Sequence, residues 1–521
     1  MRLALIQMLA SSVDQFEETA ERIAKLVNQA AEECRPDLVL LPECAYPAYL
    51  LGLDEEALEQ ALSHTERILR MFSDLAREHE IYLAAGIVLP EPDGLLNSVI
   101  LFDRRGKQIA RADKSNLWHF DDNWFKPGLP ARVVDTEFGK IGMMVCADGR
   151  IPELAGLLRE QGARLILDPV NLSASATCSE LLSNAQYEYI LPARARENGL
   201  FIAACGKAGV EAGCVTNLGR SIVLSPQGEI LAEASPDREE ILCCDIDLEQ
   251  ACLPDRRTAD FTELNRPTEE LTIFHELQNS YRMDELNFYT VIARFPYQTE
   301  AEYLDKAEAV VQKAELMKAS LIVLPELDTA LRLTGAITER LSDLLGEDTR
   351  VVIAGLAEGS GELMRIARVI DNQGTQADFA AVQAGEFSSP NEVDLQAVAV
   401  WPGCRVAVVF DQAIESPELA RTAMLRGADV LICFDRANDA FKLKTLKTRA
   451  VENRIFLIRS SANPEADNSL IINPDGAVIS TTFIQDEHMS GGLIFTGLSK
   501  QKWIVPGTDV ILGRHPGCYK V

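Results

Sequence analysis

Basic residues are scarce in this chain of 521 residues, where 50 lysines and arginines face 79 aspartates and glutamates, a formal net charge of −29. A surface of that sign repels phosphate backbones and anionic lipids, so neither nucleic acid nor a membrane surface is expected as a partner. Long apolar runs are also missing, since no segment approaches the roughly 18 apolar residues of a membrane span. The opening MRLALIQM is typical of a buried strand rather than a secretory signal. We therefore expect a cytoplasmic protein.

Closely spaced metal ligands are missing as well. The 12 cysteines include no Cys-x-x-Cys pair, and the six histidines are scattered along the chain. This pattern predicts neither a zinc site nor a disulfide framework, and no metal or other cofactor is expected. Most cysteines, such as Cys205 and Cys243, lie in apolar runs, where a thiol is usually a small buried hydrophobic group.

The length and the hydrophobic pattern indicate two α/β domains. A single core stops growing near roughly 250–300 residues, so this chain is long enough for two. Short aliphatic runs alternate with segments in which apolar residues recur at helical spacing, at 16–33 and 53–78. The aliphatic runs, which predict strands, include 38–41, 82–89, 98–102, 140–146 and 164–167.

The second half of the chain repeats the first in the same order. The clearest pairs are Leu41-Pro42-Glu43 with Leu324-Pro325-Glu326, Pro152-Glu153-Leu154-Ala155 with Pro417-Glu418-Leu419-Ala420, and Arg194…Glu197-Asn198 with Arg449…Glu452-Asn453. The spacing between matched motifs shrinks along the chain, so the second copy keeps its strands and loses loop residues. Because loops commonly carry function, the second copy is predicted to be a structural partner. We predict domains at 1–268 and 286–521, joined by a linker at 269–285.

Three polar residues of the first copy follow predicted strands, where open α/β sheets commonly present catalytic groups. They are Glu43, Lys114 and Cys146. A carboxylate, an ammonium group and a thiol can act together as general base, cation and nucleophile. Each alone has a simpler interpretation, as a helix cap, a solvated lysine or an inert buried thiol, so the flanking residues decide.

These flanking residues resemble the carbon–nitrogen hydrolase (nitrilase-like) superfamily over residues 1–267. The motifs are Leu41-Pro42-Glu43, Lys114-Ser115-Asn116-Leu117 leading to Phe125-Lys126-Pro127-Gly128, and Cys146-Ala147-Asp148-Gly149-Arg150. The resemblance implies an α/β protein built from tandem nitrilase-like αββα four-layer sandwich domains that form an intramolecular pseudo-dimer. Further association into oligomers stays open.

The resemblance also implies a mechanism. Cys146, with a pKa lowered by Lys114, would attack the carbonyl carbon of a small amide or N-carbamoyl compound and form a thioester. Glu43 would act as the base and later activate water. Lys114 and the backbone N–H of Ala147 would stabilise the oxyanion. Substrate and water are then the only small-molecule partners required.

One departure from the family pattern concerns a second glutamate, at whose position this chain has an aspartate. Whether Asp121 or its neighbour Asp122 takes the supporting role is open at this stage, and both could be solvated loop charges. The residues expected to line the substrate pocket, with ordinary packing as the alternative, are Tyr49, His119, Trp124 and Asn171.

Nitrile hydrolysis and a non-catalytic scaffold role are the two alternative functions. Nitrile-cleaving members of the superfamily commonly have Cys-Trp-Glu-Asn at the nucleophile, whereas this chain has Cys146-Ala147-Asp148-Gly149, which favours amides. A non-catalytic scaffold is the second alternative, and the complete set of three catalytic residues argues against it. In the second copy, Asp411 aligns with Cys146 and no lysine occurs between Gly374 and Pro390. That copy is predicted to be inactive, with Glu326 left to cap a helix or bind loop amides.

Overall fold

A computed structural model describes residues 1–130, 132–173, 183–253, 262–279, 285–359, 362–381, 395–436, 439–461, 468–483 and 487–516. The chain divides into two compact units. The first unit comprises Met1–Ala259, Val505–Asp509 and Gly513–Val521, and the second comprises Asp260–Ile504 and Val510–Leu512. A 3-10 turn, Thr268–Glu270, overlaps the start of the predicted linker, and a helix, Thr272–Asn279, lies within it, while residues 280–284 lie outside the described part.

The first unit contains two mixed β-sheets. Its strands are β1 (Arg2–Leu9), β2 (Leu38–Leu40), β3 (Tyr82–Glu91), β4 (Gly94–Phe102), β5 (Gln108–Asp113), β6 (Arg132–Thr136), β7 (Gly139–Met143), β8 (Leu165–Pro169), β9 (Phe201–Cys205), β10 (Lys207–Glu211), β11 (Val215–Leu218), β12 (Ile222–Leu224), β13 (Ile230–Glu233) and β14 (Glu240–Asp245). One sheet has the order β11-β10-β1-β2-β3-β4-β5, with β14 paired to β1, and the other has the order β13-β12-β9-β8-β7-β6.

The strands of the first unit are apolar on both faces because each sheet is covered on both sides. In β1, Leu3 and Leu5 pack in a core shared with the second sheet. The alternate residues Ala4 and Ile6 pack in another core together with the helices. This arrangement gives the four-layer αββα sandwich that the family resemblance implies. Its helices are α1 (Phe16–Cys34), α2 (Glu55–Ser63), α3 (Thr65–Glu78), α4 (Pro152–Glu160) and α5 (Leu191–Asn198).

The helix predicted over 53–78 is in fact two helices. The Asp54 side chain caps α2 by accepting the Ala57 N–H, and α2 and α3 meet at His64. Just there, the hydroxyl groups of Ser63 and Thr65 donate to backbone carbonyl oxygens of the last turn of α2. Such local side-chain bonds compete with a continuous helical ladder, which explains a break that hydrophobic spacing alone does not reveal.

A disulfide bond joins Cys34 at the end of α1 to Cys243 in β14, with their Cα atoms 6.2 Å apart. The expectation that Cys243 is an unpaired thiol in an apolar run is therefore wrong, although one pair is not a disulfide framework. The two cysteines are 209 residues apart in sequence. Only the pairing of β14 with β1, beneath α1, brings them together, so cysteine spacing carried no sign of the bond.

The second unit repeats the four-layer arrangement. Its strands are β15 (Asn287–Arg294), β16 (Ala319–Val323), β17 (Arg350–Gly359), β18 (Glu362–Asp371), β19 (Gly374–Ala380), β20 (Val398–Trp401), β21 (Cys404–Phe410), β22 (Val430–Asp435), β23 (Phe456–Ser461), β24 (Leu470–Ile472), β25 (Val478–Thr481) and β26 (His488–Phe495). The two sheets have the orders β19-β18-β17-β16-β15-β26 and β20-β21-β22-β23-β24-β25. Their facing sides share one core, and helices cover the outer sides.

The remaining elements complete the chain. The helices are α6 (Thr262–Asn265), α7 (Thr272–Asn279), α8 (Glu300–Leu316), α9 (Gly335–Ser342), α10 (Pro417–Leu425), α11 (Lys442–Asn453) and α12 (Thr496–Lys500). Two short strands near the C-terminus, β27 (Trp503–Val505) and β28 (Thr508–Asp509), form a small hairpin. Among the described helices, none combines the length and the apolar character needed to cross a bilayer.

Candidate active site

Glu43, Lys114 and Cys146 all lie just beyond strand ends of the first unit and are all buried. Glu43 follows β2, Lys114 follows β5 and Cys146 follows β7. Strands β2 and β5 belong to one sheet and β7 to the other, so the candidate site lies where the ends of two facing sheets meet. The structure thus brings together the three side chains that the sequence singled out.

The ammonium group of Lys114 is held between two carboxylates. Its Nζ lies 2.7 Å from Oε1 of Glu43 and 2.7 Å from Oδ2 of Asp121. Asp121 also accepts the hydroxyl hydrogen of Tyr49 at 2.6 Å, whereas Asp122 is exposed. Asp121 is therefore the aspartate that reaches the lysine. Burial lowers the pKa of Lys114, but the negative charges of Asp121 and its neighbours outweigh burial and raise this pKa well above its usual value.

The two oxygens of the Glu43 carboxylate have different surroundings. Oε1 accepts Nδ2 of Asn97 at 2.7 Å as well as Nζ of Lys114. Oε2 is buried and has no hydrogen-bond partner among the residues that the structure describes. One oxygen thus fixes the carboxylate, and the other is free to take up a proton.

Cys146 occupies a sharp turn between β7 and a 3-10 helix, Cys146–Arg150. Its φ of 52° lies in the left-handed region, which is strained for a residue with a side chain. The turn is fixed on both sides, since the Cys146 N–H donates to Oδ1 of Asp168 at 2.8 Å and the Cys146 carbonyl accepts Nε2 of Gln186 at 2.6 Å. A strained residue held in this way is a common feature of nucleophile turns.

The pKa of Cys146 is raised well above its usual value, contrary to the lowering expected from the sequence. Burial is the largest cause, and the negative charge of Glu43 adds to it. Lys114 does lower the pKa of the thiol, as expected, but its effect is smaller than the other two together. Cys146 is therefore a thiol at rest, and it would need a base to act as a nucleophile.

Hydrogen-bond donors occur beside Cys146. The Asn171 N–H donates to Cys146. The Ala147 N–H lies in the first turn of the 3-10 helix, where no helical carbonyl is available as an acceptor. Lys114 uses two of its three hydrogens on Glu43 and Asp121. The site thus has donors for an oxyanion close to the nucleophile.

Asp148 connects the loop after Lys114 to the turn of the nucleophile. Its carboxylate accepts the backbone N–H groups of Ser115 at 3.1 Å, Asn116 at 2.8 Å and Val145 at 3.2 Å, together with the Ser115 hydroxyl at 2.9 Å. Burial raises the pKa of Asp148 to about 6, although these donors act to lower it. One carboxylate therefore fixes the distance between two of the three candidate catalytic residues.

The four predicted pocket residues have different environments. Tyr49 is buried, and its ring lies 5.6 Å from Nζ of Lys114. Asn171 is buried beside Cys146, and its side-chain amide has no hydrogen-bond partner in the described part of the chain. Trp124 packs on Phe120, while His119 is exposed. Tyr49 and Asn171 are thus beside the reacting groups, and His119 is at the rim.

Arg150 is a buried cation that the sequence did not single out as a site residue. Its guanidinium stacks on the Trp118 ring at 4.3 Å, and no carboxylate pairs with it among the described residues. Burial lowers its pKa to about 10, and Cys146 is among the groups that interact with it electrostatically. A buried, unpaired guanidinium is costly unless something else compensates its charge.

Sequence reasoning also missed several residues that hold the site together. Asn97, Asp168 and Gln186 belong to no local motif, so no signal in the sequence distinguished them. Glu211 is a further example, since it accepts the N–H groups of Tyr49 at 2.6 Å and Leu50 at 2.7 Å. Asp148 and Arg150 could have been found, because both lie in the motif that begins at Cys146. Among the described residues, no cluster of histidine, cysteine, aspartate and glutamate could hold a metal ion.

The corresponding place in the second unit has a different composition. Asp411 occupies the position of Cys146 and has the same left-handed φ, 44°. The Lys114 N–H donates to the Asn97 carbonyl, and at the matching position the Ala381 N–H donates to the Arg365 carbonyl. The lysine is thus replaced by Ala381, and Asn97 is replaced by Arg365. By the same comparison of strand register, Arg436 replaces Asn171.

These replacements form a compact ion cluster around the buried Glu326. Arg365 donates to Oε1 and Oε2 of Glu326, each at 2.6 Å, and also pairs with Asp411. Arg436 donates to the same two oxygens at 2.5 and 3.0 Å. The expected role of Glu326, capping a helix or binding loop amides, is therefore wrong for its carboxylate, which two guanidinium groups hold instead.

Comparison with known proteins gives a consistent result. The carbon-nitrogen hydrolase family matches residues 2–252 and 292–490, which confirms the predicted duplication. A nitrilase of Pyrococcus abyssi is 31% identical over 250 residues, covering 48% of this chain and 90% of the relative. Omega-amidase NIT2 of Xenopus tropicalis is 30% identical over 259 residues, covering 48% of this chain and 89% of the relative.

Solved structures are also similar to this chain. A carbon-nitrogen hydrolase from Helicobacter pylori has a TM-score of 0.44 and 28% identity, covering 48% of this chain and 90% of its own. Nit3 of Saccharomyces cerevisiae, described as a member of branch 10 of the nitrilase superfamily, has a TM-score of 0.42 and 28% identity, with coverages of 48% and 91%.

Proposed function

Because this chain belongs to the carbon–nitrogen hydrolase family, we propose that its first unit hydrolyses a small amide or N-carbamoyl compound through a thioester on Cys146. The observation that carries the proposal is the asymmetric Glu43 carboxylate. Oε1 is held by Lys114 and Asn97, while Oε2 has no partner in the described part of the chain. That is the arrangement required of a general base that must accept and return a proton without moving.

In the acylation step, Glu43 removes the proton of the Cys146 thiol as the sulfur attacks the carbonyl carbon. The C–N bond then breaks, and Glu43 returns the proton to the departing amine. In the second step Glu43 takes a proton from water, whose oxygen attacks the thioester, and the thiol is restored as the acid leaves. The raised pKa of Cys146 is compatible with this sequence, because the base is part of the site.

The negative charge on the carbonyl oxygen would be stabilised by donors already in position. The ammonium group of Lys114 and the N–H of Ala147 are the proposed donors, and both are fixed before the substrate binds. In other enzymes, one such donor lowers the activation free energy by about 3–4 kcal/mol. Asp121 serves here as a positioning residue that keeps Lys114 charged and in place.

Arg150 supports a narrower substrate class. A buried guanidinium without a carboxylate partner in the described part of the chain, near Cys146, is suited to bind a carboxylate at the far end of the substrate. We therefore propose amides or N-carbamoyl compounds that carry a carboxylate. The relatives named omega-amidase are in line with amide substrates. Nitriles are not favoured, because Cys146-Ala147-Asp148-Gly149 differs from the Cys-Trp-Glu-Asn that nitrile-cleaving members commonly have.

Ammonia release from matched substrates tests the activity. Succinamate and butyramide have the same chain length and differ in ending with a carboxylate or a methyl group. We expect turnover of succinamate in preference to butyramide, an acyl adduct on Cys146 by mass spectrometry, and no turnover by Cys146→Ala. An adduct on another cysteine, or near-normal turnover by Cys146→Ala, would contradict the assignment.

A second variant tests the carboxylate site. Arg150→Met should raise the KM for succinamate by about 10- to 100-fold, the range for a lost charged hydrogen bond, and leave butyramide kinetics unchanged. Arg104→Met is a matched control, because Arg104 is bound to Asp37 and Glu137, away from the site. Equal effects of Arg150→Met on both amides would argue against a carboxylate at this position.

The second unit is proposed to be catalytically inactive. Its place for a nucleophile is taken by Asp411, and its place for the lysine by Ala381. The remaining carboxylate, Glu326, is bound by two guanidinium groups through both oxygens and has no free oxygen to act as a base.

A further inference from the structure

The last residues of the chain are part of the first unit. Val505–Asp509 and the described residues 513–516 belong to it, although they follow the whole second copy in sequence. We call these two stretches the C-terminal segment. It contacts the backbone of the loop 115–119, which begins directly after Lys114 and ends shortly before Asp121.

Thr508 makes the central contact of the C-terminal segment. Its hydroxyl group donates to the carbonyl oxygen of Leu117 at 3.0 Å and accepts the N–H of His119 at 2.9 Å. Thr508 is 3% exposed. These two bonds hold the peptide groups on both sides of Trp118, so they fix the backbone from which the Trp118 ring projects.

Neighbouring residues of the C-terminal segment extend this contact along the loop. The ring nitrogen Nε2 of His515 lies 3.0 Å from the carbonyl oxygen of Ser115. Gly507 passes so close that a Cβ atom there would lie 2.7 Å from the carbonyl oxygen of His119. The segment therefore contacts the loop at both ends and in the middle.

The loop connects these contacts to the substrate site. Trp118 stacks on Arg150 at 4.3 Å, and Asn116 donates from Nδ2 to the Ala147 carbonyl at 3.1 Å. Asp148 holds the start of the loop at Ser115 and Asn116, and Thr508 holds the part on either side of Trp118. Trp118 in turn packs on the guanidinium that is proposed to bind the substrate carboxylate. Lys114 and Asp121 are also fixed by each other and by Glu43 and Tyr49. Asp121 Oδ2, which pairs with Lys114, accepts the Trp118 N–H at 2.9 Å as well.

We infer that the C-terminal segment determines substrate specificity in the first unit, with Thr508 as a positioning residue for the Trp118–Arg150 pair. This inference rests on the proposed amidase activity and on the proposed role of Arg150. Thr508 contacts neither Lys114 nor Cys146, and the Lys114–Asp121 pair keeps its bonds to Glu43 and Tyr49 when the hydroxyl is removed. The loss of Thr508 should therefore weaken the binding of carboxylate-bearing amides much more than it slows the chemical step.

Steady-state kinetics of the full chain with succinamate and butyramide test this inference. Thr508→Val keeps the side-chain shape and removes the hydroxyl, so we expect the KM for succinamate to rise about tenfold, with kcat and the butyramide kinetics little changed. Thr508→Ser keeps the hydroxyl and should restore the wild-type KM. Thr349→Val is the matched control, because Thr349 in the second unit is 4% exposed and its hydroxyl donates to the Ala319 carbonyl at 3.3 Å.

Several outcomes would overturn the inference. They are an unchanged KM in Thr508→Val, equal losses for both amides, or a similar effect of Thr349→Val, since a general loss of structure gives no such selectivity. Gly507→Ala provides a second route, because the added methyl group would lie 2.7 Å from the His119 carbonyl oxygen and the backbone there has a left-handed φ of 84°. The segment and the loop must then move apart, which should produce the same selective rise in KM. If Thr508→Val does not fold, Thr508→Ala, which removes the same hydroxyl without adding a methyl group in its place, decides the question.

The inference and the proposed function can fail separately. If the wild type hydrolysed neither amide, the proposed activity would be wrong, and binding would then be measured by calorimetry with succinate as the probe. Binding that is about tenfold weaker in Thr508→Val than in Thr349→Val would still support the role of the C-terminal segment. Equal binding by both variants, or no binding by the wild type, would reject it.

Discussion

At the scale of single residues, three effects with different signs set the pKa of the Cys146 thiol. Burial and the Glu43 carboxylate raise its pKa, and the Lys114 ammonium group lowers it. The thiol therefore stays protonated near neutral pH, and its reactivity depends on a base and not on a preformed thiolate. A slow reaction with a general alkylating agent is thus compatible with a catalytic role for this cysteine.

The first prediction concerns alkylation of Cys146 by iodoacetamide at about pH 8. Glu43→Gln removes a negative charge that raises the pKa of the thiol, so the thiolate fraction and the alkylation rate should increase while turnover is lost. Lys114→Met removes a charge that lowers this pKa and should slow the reaction. Mass spectrometry of the Cys146 peptide over time gives the rate, with the buried Cys205 as an internal control. Slower alkylation in Glu43→Gln would contradict the assigned influence of Glu43.

At the scale of elements, strand β3 passes directly behind Glu43, the proposed base. A Cβ atom on Gly86 would lie 2.1 Å from the Pro42 carbonyl oxygen and 2.8 Å from the Cα atom of Glu43. In the second unit the matching position is Ala354. It is identified by the strand register, because the Leu41 N–H donates to a carbonyl of β3 two residues before Gly86, and the Leu324 N–H donates to a carbonyl of β17 two residues before Ala354. In the first unit the Ala45 N–H donates to the Gly86 carbonyl, and in the second unit the Leu327 N–H donates to the Ala354 carbonyl. The loop after Leu324 is therefore one residue shorter than the loop after Leu41.

The second prediction is that Gly86→Ala displaces Glu43 and greatly reduces turnover. Because backbone atoms would have to move, we also expect a loss of stability of about 1–3 kcal/mol, the usual cost of overpacking. Ammonia release and urea denaturation measure the two effects. The control is Gly335→Ala at the start of α9, where the added Cβ meets no atom within 4 Å. Normal turnover by Gly86→Ala would show that Glu43 tolerates displacement or is not the base.

The third prediction concerns Asp148, the carboxylate that joins the loop after Lys114 to the turn of the nucleophile. Its pKa is raised by burial to about 6 in the folded protein, above the unfolded value of about 3.9. The protonated form is thus favoured by folding. Its contribution to stability is fully present below about pH 3.9 and is lost as the pH rises through about 6.

Between about pH 4 and pH 6.5, the free energy of unfolding of the wild type should accordingly fall by about 2–3 kcal/mol relative to that of Asp148→Asn. Above that range the difference between the two proteins should be constant. Urea denaturation at several pH values measures it. Asp113→Asn is a comparison variant in the same unit, as Asp113 is also buried and hydrogen-bonded. A difference that does not depend on pH would show that Asp148 remains charged throughout the range.

At the scale of the whole molecule, the two units have the same fold and opposite internal chemistry. The first unit holds one cation between two carboxylates and leaves one carboxylate oxygen free. The second unit closes the same place with two guanidinium groups on Glu326. Ala381 stands where the first unit has Lys114, and the missing cation is replaced by Arg365 of β18 and by Arg436, which follows β22, so the buried glutamate remains neutralised.

The fourth prediction is that Glu326→Gln destabilises the protein by about 3–5 kcal/mol without changing turnover. The reason is that it leaves two partly buried guanidinium groups without their shared carboxylate. Urea denaturation and ammonia release measure both quantities. Glu43→Gln is the matched variant in the first unit and should abolish turnover. Loss of activity in Glu326→Gln with unchanged stability would indicate that the second unit takes part in catalysis.

The sequence alone was sufficient for the features that depend on local pattern. Strands that are buried on both faces are continuous apolar runs, so the α/β alternation and the duplication are visible without coordinates. Glu43, Lys114 and Cys146 each follow such a run within a short motif. Their proximity was therefore predictable, although their catalytic roles stay predictions.

Only the tertiary structure decided the features that depend on distant residues. The Cys34–Cys243 bond, the pairing of Lys114 with Asp121 instead of Asp122, and the contact of Thr508 with the loop 115–119 join positions that no local motif relates. The direction of the pKa of Cys146 is another such feature. A neighbouring lysine can be inferred from motifs, but the depth of burial, which has the largest effect on the thiol, arises only when two sheets and their helices enclose it.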